Sequence, residues 1–263
     1  MSVSILFTLV AHRTKLCCVY KFLLRPKWIA FHVLIVALVT IMLMLANWQL
    51  DRHHQRVAFN KTLIERIDTP TQPIAQVLAD FPAASDAEWR SVVVKGQYLQ
   101  DHDLQIVNVS QGGRPGFDPV TPLQMSDGRL ILINRGFIPL GATVQEAPTG
   151  IVTLQGRLRA SSVKRLGAIS DAASGVLTEV QRIDIARLQP QMPSPLVNVY
   201  LEMQSSSPAD DATLSRIAEP SFSNGSHLGY VGQWMLFSLC ALGGWFAIVR
   251  REVTAKKKST LGV

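Results

Sequence analysis

Two long apolar stretches without a single charge lie near opposite ends of this chain, and they limit what the rest of it can be. Residues 28–46 read WIAFHVLIVALVTIMLMLA, interrupted only by His32 and Thr40; residues 229–249 read GYVGQWMLFSLCALGGWFAIV. A helix of about 20 residues, rising 1.5 Å per residue, covers a hydrocarbon core of about 30 Å. Trp28 and Trp48 would sit about 30 Å apart on one helix, one at each face of a bilayer, and Tyr230 and Trp245 bracket the second stretch in the same way. Two buried core helices are the alternative. Uncharged runs of this length favour transmembrane helices.

The charge distribution agrees. The chain carries a formal net charge of +7, with 48% hydrophobic and 17% charged residues. That charged fraction is below the roughly 25% of a soluble domain. The first 27 residues hold Arg13, Lys15, Lys21, Arg25 and Lys27 and no acid. The last 14 hold Arg250, Arg251, Lys256, Lys257 and Lys258 against Glu252 alone. Residues 51–227 contain 16 Lys/Arg and 18 Asp/Glu. The excess charge therefore sits in two tails beside the apolar stretches, which leaves no basic face for nucleic acid. Basic flanks stay in the cytoplasm, so both termini are expected there, with the long central segment on the other side of a bacterial inner membrane. A mitochondrial inner-membrane location is the alternative, because the first segment is basic and free of acids. It is short and runs straight into the span without a cleavage region, and the apolar run 3–11 has no charged region ahead of it, so it makes a poor signal peptide. The expected layout is a basic segment 1–27, a span 28–48, an extracytoplasmic domain 49–227, a span 228–249 and a basic tail 250–263.

Cys17 and Cys18 precede the first span and Cys240 lies in the second, so the central domain has no cysteine. It can hold no disulfide, no C-x-x-C haem attachment and no thiolate copper site. Within it, residues 51–67 read as a helix continuing out of the first span and 74–81 as a second, short helix after Pro73. Period-two alternation predicts strands at 91–99, 104–110, 117–125, 129–134, 150–159 and 196–203. Gly112-Gly-Arg-Pro-Gly116 is a loop by composition, 126–128 a hairpin turn, 161–175 a mobile loop and 180–188 a short helix. The fold class expected is an α+β membrane protein: two transmembrane helices flanking a β-rich antiparallel domain shaped as a curved sheet or small barrel.

Catalytic motifs are sparse. Ser161-Ser-Val-Lys164 matches S-x-x-K, but the partner motifs are missing and a four-residue match in a polar loop is expected by chance. His53 and His54 are adjacent, so on a helix they point about 100° apart and cannot chelate one ion. His102 lies between Asp101 and Asp103 in a turn, and a solvated turn accounts for it. His32 near the inner end of the first span reads as a polar residue facing the partner helix. His227 differs, because it sits at the outer mouth of the second span with Tyr230 and Trp234 on the same helical face at i+3 and i+7. Antiparallel spans would bring Trp48, Gln49 and Arg52 to the same depth. Imidazole is a haem-iron ligand, aromatic rings pack on a macrocycle and arginine pairs with propionates. Interfacial anchoring accounts for Trp, Tyr and Arg there without a cofactor, and on the residues alone it is favoured over the haem site.

Several segments taken in order resemble the Surfeit locus protein 1 family. They are Asn47-Trp-Gln-Leu-Asp-Arg52, Val94-Lys-Gly96-Gln-Tyr98, Arg114-Pro-Gly116, Leu132-Ile-Asn-Arg-Gly-Phe137 followed by Ile138-Pro139 and Gly141, and His227-Leu-Gly-Tyr230 with Trp234. The residue two before His227 is Gly225 where the family usually has Asn, although Asn224 is next to it. The resemblance implies a non-catalytic assembly factor for haem-copper cytochrome c oxidase, a chaperone that handles haem a or inserts it into the core subunit beside other assembly factors. It carries the family histidine onto His227 as a tentative iron ligand, with Tyr230, Trp234, Trp48 and Arg52 around the haem. It assigns nothing to 161–188 and no chemistry to Asn134-Arg-Gly136. A cofactor-free, membrane-tethered scaffold or sensor is the competing function, and a hydrolase lacks a nucleophile–base pair.

The basic tails generate a topology prediction. Reporter fusions after residues 10, 130 and 260 should give cytoplasmic activity at both ends and extracytoplasmic activity only at 130. Activity of a periplasm-only reporter at either end contradicts the orientation.

Overall fold

The computed structural model describes residues 20–163, 167, 169–172 and 174–261. Arg13, Lys15, Cys17, Cys18, the apolar run 3–11 and Lys164 of the S-x-x-K match lie outside the described residues. The chain divides into two compact units, one of Met1–Asn60 with Ser223–Val263 and one of Lys61–Phe222.

The first unit is built by two helices. A 3-10 turn, Lys21–Leu24, leads to Arg25, whose extended backbone is what a following proline requires, and α1 (Pro26–Ile67) starts at that proline. Its 42 residues make it about 60 Å long, so it outruns the hydrocarbon core and passes into the second unit. The partner helix, α5 (His227–Leu261), has 35 residues. Both are long and apolar enough to cross a membrane.

Their burial pattern shows how they pair. On α1 the less exposed positions include His32, Ile35, Val39, Met42, Ala46, Gln49, His53, Arg56 and Asn60; on α5 they include His227, Val231, Trp234, Ser238, Ala241 and Trp245. The spacing alternates between three and four residues, which is the repeat of a left-handed coiled seam. Trp245 Nε1 donates to His32 Nδ1 at 2.9 Å, and His227 Nδ1 lies 2.9 Å from Gln49 Oε1, so the helices run antiparallel. Small and flexible residues (Met42, Ala46 and Ser238) are buried between those bonds, where they let the backbones approach. The opposite faces expose Leu34, Val36, Ile41 and Met44 on α1 and Leu236, Leu239, Phe246 and Ile248 on α5. That apolar surface is matched by lipid tails and penalised by water.

The second unit is a β-rich domain with nine strands among the described residues: β1 (Gln72–Pro73), β2 (Ser91–Tyr98), β3 (Leu104–Gln111), β4 (Arg114–Met125), β5 (Leu130–Asn134), β6 (Ile138–Pro139), β7 (Ile151–Ala160), β8 (Glu179–Val180) and β9 (Leu196–Ser207). Short helices α2 (Ile74–Asp80), α3 (Ala84–Ala87) and α4 (Ile185–Leu188) complete it. Strands β2, β7, β9, β5 and β4 pair in that order, and β2 pairs again with β4, which closes a five-stranded barrel. Antiparallel pairing dominates. The sheet is nevertheless mixed, because β1–β2, β3–β8 and β5–β9 are parallel. A parallel neighbour has to come from a distant stretch of chain, a fact that strand periodicity does not encode.

Alternate residues of the barrel strands face two cores. Val94, Leu123, Ile131, Ile133, Leu154, Leu158, Val199 and Leu201 belong to one cluster, and Leu104, Val120, Leu130, Leu132, Val180, Ile183 and Leu188 to the other. Every residue of β5 is buried, which is why LILI shows no polar alternation. Closure requires Gly96. A Cβ there would fall inside the van der Waals envelope of the Gln124 carbonyl on β4.

The Asn134-Arg-Gly136 motif, silent in the sequence, is a structural clamp. Asn134 Nδ2 donates to Asp118 at 3.0 Å and its Oδ1 accepts from the Gly136 amide at 3.1 Å. Arg135 is buried and holds Asp210 through two bonds, Nε at 2.9 Å and Nη2 at 2.5 Å, while Nη2 also donates to the Gln145 carbonyl. Burial works against the Arg135 charge, but the Asp210 hydrogen bonds and charge outweigh it and raise its pKa. Gly136 has φ +136, in a region that favours glycine, and a Cβ there would lie 2.6 Å from the Ser215 carbonyl. Phe137 and Ser215 exchange backbone hydrogen bonds at 2.7 and 2.9 Å, so the motif ties the stretch after β9 to the barrel. Burial pushes Asp118 up to about 6, with the Asn134 bond opposing, and Asp118 Oδ1 has no hydrogen-bond partner among the described residues.

Two predictions follow from these contacts. Gly96→Glu and Gly136→Glu should each destabilise the barrel by about 3 kcal/mol or more, seen as faster limited proteolysis of the membrane-bound chain. Unchanged digestion alongside failed function would make both glycines contact residues instead. Asp118 binds its proton more tightly folded than unfolded, so its stabilising contribution is complete below about pH 4 and is lost as pH rises through about 6. Thermal unfolding of the detergent-purified chain should show a decline over that window of up to about 3 kcal/mol, and Asp118→Asn should flatten it.

Candidate functional site

The residues singled out in the sequence sit where α5 begins and α1 leaves its apolar stretch, all within the helix-pair unit. The entry into α5 is held tightly. Arg56 Nε donates to the Ser223 carbonyl at 3.1 Å, and Asn60 Nδ2 donates to Asn224 Oδ1 at 2.9 Å. Gly225 then turns the chain with φ +71, its amide bonded to Ser223 Oγ. Ser226 precedes the first helical residue, and its carbonyl accepts from the Tyr230 amide. His227 follows at the first position of α5, half-buried in the seam.

The inter-helix partner of His227 is Gln49. An amide oxygen only accepts, so Nδ1 carries the proton in the 2.9 Å bond to Gln49 Oε1 and the Nε2 lone pair is left available. The Nε2 edge faces Gly225. A Cβ on Gly225 would stand 3.2 Å from both Nε2 and Cδ2, so the glycine spares that edge a tight side-chain contact. The residue that departs from the expected Asn is thus the one nearest the ring nitrogen.

The other four site residues are placed around this pair rather than on it. Arg52 lies over the Trp48 ring at 5.7 Å and donates from Nη1 to Gln55 at 3.2 Å, all on α1. Trp48 and Tyr230 are exposed, whereas Trp234 is half-buried in the seam one turn further along α5, edge-on to Phe237. With Gln49 and His227 in the seam, Arg52 and Tyr230 take flanking positions that lie on the same side of an antiparallel pair. The set provides one imidazole with a free nitrogen, one guanidinium and three aromatic rings within two helical turns. Its donor chemistry fits a haem.

The remaining histidines have other surroundings. His32 accepts from Trp245, so its proton is on Nε2 and its seam nitrogen is occupied. His53 faces the seam with Nδ1 enclosed and unpartnered among the described residues, whereas His54 is exposed, so the adjacent pair does point apart. His102 belongs to the 3-10 turn Gln100–His102, and among the described residues no group of three His, Cys, Asp or Glu could hold a metal ion. Ser161 Oγ accepts from the Ile185 amide at the start of α4, which gives the S-x-x-K serine a structural task. Sequence reasoning placed Gln49 at the right depth but did not give it a part in the site. The three-and-four spacing from Met42 through Ala46 to His53 puts Gln49, and not Trp48, on the partner-facing line.

The sequence pattern of the SURF1 family matches residues 36–239, from within the first span to within the second. Uncharacterised SURF1-like proteins of Mycobacterium bovis and Mycobacterium tuberculosis are each 28% identical over 249 residues, covering 92% of this chain and 90% of theirs. A SURF1-like protein of Rickettsia felis is 25% identical over 100 residues, 37% of this chain and 42% of its own. With the matched region taking in part of each spanning helix, the barrel, the Asn134-Arg-Gly136 clamp and the His227 site, the chain belongs to the SURF1 family.

Proposed function

We propose that this chain is a non-catalytic assembly factor for cytochrome c oxidase that holds haem a at the outer mouth of its helix pair, on the way to the oxidase core subunit. The family is generally one of oxidase assembly factors, which supports the broad role. The observation that carries the haem reading is His227 Nε2, the ring nitrogen that Gln49 does not engage, bordered by a glycine at a level where Arg52 and Tyr230 are exposed.

Each residue has a separate task in this reading. His227 ligates iron through Nε2. Arg52, free of any carboxylate partner among the described salt bridges, pairs with a propionate. Trp48, Tyr230 and Trp234 supply flat apolar surface at the lipid boundary. The haem is cargo, and its electron-transfer chemistry belongs to the oxidase that receives it. A bacterial inner membrane is the location proposed, with both termini cytoplasmic and the barrel outside, and other assembly factors and the bilayer are the further partners. Nothing in this role requires nucleic acid.

Bound-haem absorbance per protein, measured on detergent-purified chain from cells that make haem a, tests the reading. His227→Ala should lose most of the haem while the protein stays in the membrane. Gly225→Ala should weaken binding by about tenfold, since its Cβ crowds Nε2. The double variant His53→Ala/His54→Ala should keep its haem. Equal haem in all variants would reduce the cluster to an interfacial anchor, and a loss confined to the double variant would move the ligand to α1.

A further inference from the structure

We propose that Gln49 is the positioning residue of the site, fixing the tautomer and rotation of His227 so that Nε2 is the nitrogen presented to iron. This rests on the reading of His227 as the haem ligand. A neutral imidazole holds one proton on either nitrogen, and only the nitrogen without it can ligate a metal. Ligating histidines are characteristically held by a hydrogen bond from the other ring nitrogen to a protein oxygen.

Gln49 meets that description on three counts. Its Oε1 is 2.9 Å from His227 Nδ1 and can only accept, so Nδ1–H is selected. It comes from the opposite helix, one turn of α1 from Ala46 in the buried seam, so the acceptor is fixed by helix packing and not by a mobile loop. It also leaves Nε2 on the side where Gly225 has no side chain.

The seam contains its own control. At the other end Trp245 Nε1 donates to His32 Nδ1, which selects the opposite tautomer, Nε2–H. Two seam histidines are thus held by bonds of opposite polarity. The one with an acceptor partner has Nε2 free for iron, and the one with a donor partner does not.

The experiment uses the full-length chain in detergent, with three variants and two readouts. In haem-free protein labelled with nitrogen-15 at histidine, wild type and Gln49→Glu should show His227 as the Nδ1–H form. Gln49→Leu should shift it toward Nε2–H, the form favoured by an unconstrained histidine side chain. In haem-loaded protein, Gln49→Leu should raise the haem dissociation constant by about tenfold. Gln49→Glu should retain haem and raise the iron–histidine stretching frequency, because a carboxylate acceptor makes the imidazole more basic. Trp245→Phe, which breaks the other seam bond, should leave haem affinity unchanged.

An unaltered His227 tautomer in Gln49→Leu overturns the proposal. Equal haem loss in Trp245→Phe and Gln49→Leu also overturns it, because Gln49 would then serve helix pairing alone. If the tautomer shifts and haem affinity does not, while His227→Ala still loses haem, Gln49 holds the ring without positioning it for iron and the proposal again fails. Retention of haem by His227→Ala sinks the haem reading instead, and the nitrogen-15 spectra of the haem-free protein still decide whether Gln49 sets the ring.

Discussion

Water does not reach the interior of a bilayer, so a polar side chain on a spanning helix needs a partner on its neighbour. The α1–α5 pair satisfies this with one bond near each end of its seam, Trp245 to His32 and His227 to Gln49. Only Met42, Ala46, Ser238 and similar small or apolar residues lie between. A slide of one helix along the other by a single turn would break both bonds at once and bury four polar groups unpaired. These two bonds hold the register of the pair together with the bonds from Arg56 to Ser223 and from Asn60 to Asn224, so the loss of any one of them leaves the others in place.

The barrel solves a different problem with similar means. Five strands closed on themselves leave little unpaired sheet edge, and the short strands β1 and β8 pair along β2 and β3. The buried Arg135–Asp210 pair is not a cheap source of stability, because both ions give up water. What it provides is specificity: the stretch after β9 can lie against the barrel in one way only, with Asp210 on the guanidinium and Ser215 paired to Phe137. On the barrel surface Arg159 joins Glu88, Glu202 and the face of Trp89, a residue whose φ of 73° needs such support.

Much of this was legible in the chain. The spans carry long uncharged apolar runs and the strands Ser91–Tyr98, Leu104–Gln111 and Ile151–Ala160 carry alternation, and they fall close to where those patterns put them. Two segments were misread for identifiable reasons. Residues 112–116 were taken as a loop because of their glycines, yet Gly112 and Gly113, at φ 59 and 76, make a two-residue hairpin turn, and β4 begins at Arg114. The helix expected at 180–188 shrinks to Ile185–Leu188, because Val180 pairs with β3 and Asp184 caps the helix start. Two tertiary relations were not legible at all: no local pattern announces that β9 lies parallel to β5 or that Arg135 awaits Asp210.

The pinned start of α5 has a mechanical consequence. Arg56 and Asn60 hold Ser223 and Asn224, so the entry into α5 is fastened to α1 about two to three turns beyond Trp48. The height of the imidazole is set by protein against protein, and not by how far α5 rises out of the lipid. A thinner or thicker bilayer has to be accommodated by tilt of the pair as a whole or at the opposite, basic ends of the helices, where Arg250 and Arg251 are exposed. The mouth of the site then keeps one shape in membranes of different thickness.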